Sequence, residues 1–123
     1  MNLNRLANVK NKFQGDRKKV LCVCSAGLLR SPTLAWVLSN APYNYNTRSC
    51  GAAPEYALIP LDEYLIAWAD EILCVEKWQE KCVLNLNPNA NVTTLEIDDK
   101  YGTRDPELIA IIETKLKEHY NDN

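Results

Sequence analysis

Along the chain, short apolar runs of strand length alternate with longer stretches whose apolar residues recur at helical spacing. "KKVLCVC" (18–24) is a β-branched run that predicts a buried strand. "SPTLAWVLSN" predicts the helix after it, with Ser31 as N-cap, Pro32 at the first helical position and Leu34, Ala35, Val37 and Leu38 apolar, ending before Pro42. A second strand is expected over 43–51, closed by Gly51, and a helix over 59–69 with Pro60 near its start. A third strand (70–76), a short helix (77–86) and a fourth strand (91–97) follow. The polar loop 98–104 leads into the clearest helix, 105–120, with Asp105 as N-cap, Pro106 first, and Leu108, Ile111, Ile112 and Leu116 along one face.

Such β-α alternation predicts an α/β fold, a three-layer sandwich in which a four-stranded parallel sheet carries helices on both faces. Ligands in open sheets of this kind bind beyond the carboxyl ends of the strands. The loops after the first and fourth strands fall there. Residues 1–18 are polar and basic and are read as an N-terminal extension, leaving 19–123 as a single domain.

With 123 residues, 46% hydrophobic and 24% charged, the composition is that of an ordinary globular domain. A net charge of -2 argues against bulk binding to nucleic acid. No apolar run reaches the length of a membrane span, and the N-terminus has no secretory pattern, so no membrane partner and a cytoplasmic location are expected. The five cysteines (Cys22, Cys24, Cys50, Cys74, Cys82) are odd in number and form no C-x-x-C pair, which fits reduced thiols rather than a disulfide framework or a zinc ribbon. The only histidine, His119, lies in the last helix, which removes His-based zinc sites and His-dependent triads, and nothing else in the sequence calls for a metal or an organic cofactor.

The segment "VLCVCSAGLLRSP" is where chemistry concentrates. Five residues separate Cys24 from Arg30, enough for successive backbone N–H groups of Ser25, Ala26, Gly27, Leu28 and Leu29 to converge on one tetrahedral anion. The helix that follows points its positive end at the same spot, which favours a nucleophilic thiolate at Cys24. Gly27 permits a positive φ, Arg30 can hold two phosphoryl oxygens at once, and the Ser31 hydroxyl can donate to the sulfur. A Cys-x5-Arg pair alone arises by chance in about one such chain in five. Requiring a strand before it, a hydroxyl residue after it and a proline-opened helix lowers that to about a per cent, so the anion-loop reading prevails over a plain buried cysteine.

This segment resembles the phosphate loop of the low-molecular-weight protein tyrosine phosphatases, whose signature is a strand followed by Cys-x5-Arg-Ser-Pro. The resemblance runs over roughly residues 19–120: "TRSCGAAP" is similar to the family's Ser-Ala-Gly-Thr segment, "ADEILCVEK" to its third strand and "LEIDDKYGTRDPEL" to its acid-bearing loop. The last two look closest to a short bacterial and phage branch of predicted protein tyrosine phosphatases. The resemblance implies a metal-free hydrolase working through a phosphocysteine on Cys24. It also implies a phosphotyrosine protein or a small phosphomonoester as substrate, and an aspartate late in the chain as proton donor. Register against the family pattern favours Asp99 as that acid; counting back from Tyr101-Gly102 favours Asp98. The chain departs from the family at Gly27, where Asn is usual, at Leu29, where many members have a second cysteine, and at Asp98-Asp99-Lys100, where an Asp-Pro pair is usual.

Tyr56 and Tyr101 are candidate walls of the substrate pocket, and Leu28 and Leu29 give the loop an apolar outer surface. Trp36, Trp68 and Trp78 are read as core or interface residues, and Cys22 and Cys50 as core. Two alternatives stay open. An arsenate reductase of the same fold would use Cys74 and Cys82 as a relay, and a non-catalytic phosphate or phosphopeptide-binding module would keep the loop without a working acid.

Overall fold

The computed structural model describes residues 16–98, 100, 102 and 105–121. Most of the N-terminal extension therefore lies outside the described residues. So do two of the candidate site residues, Asp99 and Tyr101.

Among the described residues eight elements alternate as the hydrophobic pattern requires: β1 (Lys19–Cys24), α1 (Arg30–Ser39), β2 (Asn46–Gly51), α2 (Glu63–Trp68), β3 (Glu71–Cys74), α3 (Lys77–Leu86), β4 (Val92–Thr94) and α4 (Pro106–Asn121). The four strands form one parallel sheet in the order β2-β1-β3-β4. Strand β1 is apolar on both sides because helices cover both. Val20, Cys22 and Cys24 join a core with α1 and α4 through Leu34, Leu38, Leu108, Ile112 and Leu116. Leu21 and Val23 face the other way, onto Leu65 and Ile66 of α2 and Val83 of α3. Each fully buried Leu or Ile contributes about 1.5–3 kcal/mol. The chain moves from β1 to one side for β2 and returns past β1 for β3, so the end of β1 is the topological switch point where such sheets bind ligands.

Several elements are shorter than the apolar pattern predicts, each for a local reason. Tyr43 and Asn44 do not extend β2 backwards, because both donate backbone bonds to the Asn40 carbonyl in a turn. Helix α2 starts only at Glu63, where the Asp62 carboxylate accepts the Leu65 N–H at 2.8 Å. The preceding Ile59–Leu61 segment instead bonds back to Gly51, through Gly51 N–H to the Ile59 carbonyl and Leu61 N–H to the Gly51 carbonyl. Past β4, Leu95 and Ile97 still donate to the Cys74 and Val75 carbonyls, but Glu96 between them has φ +60, which breaks the regular strand. Ser31 is not the N-cap of α1: the helix begins at Arg30 with Leu29 as cap, and the Ser31 hydroxyl is engaged inside the loop. Asp105 does accept the Glu107 N–H, at 2.8 Å, as an N-cap should.

Beside the start of β3, away from the switch point, a buried carboxylate ties the last helix to the sheet. Glu71 accepts from Lys18 Nζ at 2.9 Å, from Tyr120 Oη at 2.5 Å and from His119 Nε2 at 2.7 Å. Tyr43, Tyr45 and Tyr120 pack around one another there, and the Lys18 ammonium lies over the rings of Tyr45 and Tyr120. Burial pushes the Glu71 carboxyl up, but the bonds from Tyr120, His119 and Lys18 outweigh it and leave the group below its ordinary value. The Tyr120 hydroxyl is raised by burial and by donating to that carboxylate.

Candidate active site

The loop from Cys24 to Arg30 leaves β1 at the switch point and turns directly into α1. Its shape is set by close backbone packing against the end of β2. Gly27 has φ +76, and a Cβ there would lie 2.9 Å from the Cys50 carbonyl carbon. Facing it, a Cβ on Gly51 would lie 2.5 Å from the Ala26 carbonyl carbon. Only glycine fits either position. Two further bonds, Ala52 N–H to the Cys24 carbonyl and Ala53 N–H to the Ser25 carbonyl, fasten the loop to the segment after β2.

Within this frame Cys24 is 3% exposed, at the base of the loop. The Gly27 N–H donates to Sγ at 3.1 Å, and Sγ lies 3.1 Å from Ser31 Oγ, which in turn donates to the Cys50 carbonyl. Three parts of the chain thus aim one sulfur. Helix α1 has no side-chain cap and no acidic residue in its first turn, and its positive N-terminal end adjoins the loop. Cys24, Ser25, Ala26, Leu28, Leu29 and Arg30 line a cavity of about 220 Å³.

Arg30 is 2% exposed and held from several directions. Its Nη1 pairs with Glu76 Oε2 at 2.6 Å and donates to the Ile97 carbonyl at 2.8 Å, while Nη2 donates to Ser25 Oγ at 3.3 Å. A planar guanidinium fixed at these points has its orientation set before any ligand arrives. Glu76 is itself braced, its other oxygen accepting from Trp78 Nε1 at 3.1 Å. Gln79, fully buried in the first turn of α3, accepts from the Val75 and Glu76 N–H groups and donates to Ser25 Oγ.

Glu76, Gln79 and the Ile97 carbonyl are absent from the candidates that sequence reasoning names. The pair Glu76-x-x-Gln79 does carry a signal, the spacing of a capping box at a helix start. Its reach toward Arg30 and Ser25, more than 45 residues away, is visible only in three dimensions. A backbone carbonyl such as that of Ile97 carries no residue-type signal at all.

The remaining candidates divide. Asp98 is exposed and follows Ile97, whose carbonyl accepts from Arg30, so it lies one residue from a direct bond to the Cys24–Arg30 loop. Asp98 and Glu76 share a groove of about 410 Å³ with Val75, Lys77, Glu96 and Ile97. Tyr56 is 70% exposed, on the segment whose Ala52 and Ala53 N–H groups bond to the Cys24 and Ser25 carbonyls. Leu28 and Leu29 are both exposed, and both also line the loop cavity. Trp36 and Trp68 are partly buried against the two cores, whereas Trp78 is exposed. Cys22, Cys50 and Cys74 are buried, and Cys82 is half-buried. Burial raises the Cys22 and Cys50 thiols well above their ordinary range, and burial followed by the nearby Glu80 and Cys82 pushes Cys74 up to about 12.

Among the described residues there is no cluster of three or more His, Cys, Asp or Glu able to hold a metal ion, and no helix is long and apolar enough to cross a membrane.

Neither a family model nor a curated protein sequence matches the chain. Solved structures do. The chain superposes on the tyrosine phosphatase AmsI of Erwinia amylovora with a TM-score of 0.67 and 22% identity, covering 89% of this chain and 96% of that one. Wzb of Vibrio vulnificus, in complex with benzylphosphonate, gives a TM-score of 0.68 and 19% identity over 87% and 99%. The YwlE arginine phosphatase of Geobacillus stearothermophilus gives 0.64 and 21% over 85% and 94%. Together with the sheet order and the loop at the switch point, these likenesses establish that the chain has the fold of the low-molecular-weight tyrosine phosphatases.

Proposed function

We propose that the protein is a cysteine-dependent phosphomonoester hydrolase acting on phosphotyrosine in proteins, through a phosphocysteine on Cys24. The observation that carries this reading is the convergence on one sulfur. Cys24 Sγ sits at the base of a cavity, held by the Gly27 N–H and Ser31 Oγ, with a pre-oriented Arg30 on the cavity wall.

In this scheme the phosphoryl oxygens occupy the loop and are held by the N–H groups of residues 25–30 and by Arg30. The Ser31 hydroxyl, which donates to the Cys50 carbonyl beside a thiol, turns its proton to the sulfur when Cys24 is ionised. The thiolate attacks phosphorus, a S–P bond forms as the P–O bond to the leaving group breaks, and the leaving oxygen takes a proton from Asp99, or alternatively Asp98. The same carboxylate then deprotonates a water that attacks phosphorus, returning the thiolate and inorganic phosphate. None of these steps calls on a metal or an organic cofactor.

The reductase alternative draws no support from the geometry, since Cys74 is fully buried in β3 with its thiol raised. Relatives of this fold include both a tyrosine and an arginine phosphatase, so substrate choice is tested directly. A phosphotyrosine peptide, a phosphoarginine peptide and arsenate with a thiol reductant are offered to wild type, Cys24→Ser, Asp98→Asn and Asp99→Asn. The expected result is phosphotyrosine hydrolysis that Cys24→Ser lowers at least about a thousandfold and that one aspartate variant lowers strongly. Folded wild type that turns over only phosphoarginine, only arsenate or nothing would overturn the proposal.

A further inference from the structure

Ser25 is one of the residues lining the loop cavity, and its Oγ accepts two hydrogen bonds, from Arg30 Nη2 and Gln79 Nε2, both at 3.3 Å. A hydroxyl has two acceptor lone pairs and one proton. With both lone pairs engaged, the proton is what Ser25 still has to offer, and among the described residues it meets no acceptor. The orientation of Gln79 is fixed by chemistry: its Oε1 accepts from two backbone N–H groups, Val75 at 3.0 Å and Glu76 at 2.9 Å. Those groups can only donate, so the oxygen must face them and the NH2 must face Ser25.

We propose that Gln79 is a positioning residue that holds Ser25 Oγ as a hydrogen-bond donor to the phosphoryl group bound in the loop. It presupposes the phosphate-binding role of the loop proposed above. The two residues form one relay: helix α3 caps its own N-terminus with the Gln79 carbonyl, and spends the amide on setting the polarity of a serine in the anion loop. Arg30 donates to the same oxygen, so the serine proton and the guanidinium are oriented together toward one anion.

Replacing Gln79 by glutamate tests this with minimal change of shape. One carboxylate oxygen can still accept from Val75 and Glu76. The other turns the Ser25 proton toward itself and away from the cavity. The added charge repels phosphate as well, so the decisive comparison is a double-mutant cycle read by calorimetric titration of inorganic phosphate and by kcat and KM. Ser25→Ala is expected to weaken phosphate binding about tenfold and to raise KM more than it lowers kcat, with Ser25→Thr restoring most of the loss. Gln79→Glu is expected to weaken binding by more than about tenfold in the wild-type background and by a clearly smaller factor in the Ser25→Ala background. Equal factors in both backgrounds, or phosphate binding by Ser25→Ala as tight as wild type, would overturn the assignment while leaving the phosphatase reading intact. Should Gln79→Glu not fold, the Ala and Thr variants of Ser25 decide alone. Wild type that binds no phosphate would end both readings at once.

Discussion

The protein buries one strong charge at the switch point and one of opposite sign beside the start of β3, and it treats them differently. Glu71 is enclosed by Lys18, His119 and Tyr120, with two further tyrosine rings packed around them. Every partner is a side chain of this chain, and the result is a clasp between β3 and the last helix. Arg30 is buried as deeply, but its fixed partners, Glu76, Ser25 and the Ile97 carbonyl, hold it against the wall of a cavity. The same cavity takes the uncapped start of α1. One arrangement turns a buried charge into stability; the other uses it to keep a cation aimed at a place where an anion can come. A carboxylate beside Arg30 is what makes the second arrangement tolerable, since an unpaired buried guanidinium is strongly destabilising.

The comparison can be broken from either side. The largest effect is expected for Glu76→Ala, which leaves Arg30 without its ionic anchor: kcat/KM should fall about a hundredfold, with a lower melting temperature as well. Full activity in this variant would show that Arg30 is positioned without Glu76. Next, Glu71→Gln should cost about 2 kcal/mol in urea unfolding while kcat/KM of the folded enzyme stays within about twofold of wild type. A large loss of turnover per folded molecule would mean that the clasp and the loop are coupled.

The acid limb of stability sharpens the contrast further. The folded value of Glu71 lies below its unfolded value of about 4.3, so its ionic bonds contribute in full above that pH. The contribution is lost as the pH falls through the folded value. Unfolding free energy measured between pH 7 and pH 3 should therefore drop less steeply in Glu71→Gln than in wild type, and parallel curves would remove Glu71 from the acid response. The smallest effect belongs to Lys18→Met. Its ammonium is partly exposed, so losing the ion pair and the contacts to Tyr45 and Tyr120 should cost no more than about 1 kcal/mol, with turnover unchanged.

Much of this molecule was legible in its residue order. The apolar runs and their spacing were enough to place four parallel strands between two helical layers, because a strand covered on both faces must be apolar throughout and a covering helix needs only one apolar stripe. The motif from Cys24 to Ser31 was legible too, since its chemistry is local: a loop of fixed length, a glycine at the tight position and a helix behind it. What residue order could not supply was the network that aims the loop. Glu76 and Gln79 look like an ordinary helix start, and only the parallel neighbourhood of β1 and β3 brings them to Arg30 and Ser25. Gly51 looks like a strand end until its partner Ala26 is seen at a distance that admits no side chain. The Ser31 hydroxyl reads as a cap because hydroxyls before helices usually are, and its true partners, Cys24 and the Cys50 carbonyl, include one that sits 19 residues away on β2. Local patterning thus determined the elements and the loop from Cys24 to Arg30. Which polar groups meet in the space between those elements was decided by the register of the sheet, because hydrogen bonds and ion pairs depend on ångström distances that sequence separation does not encode.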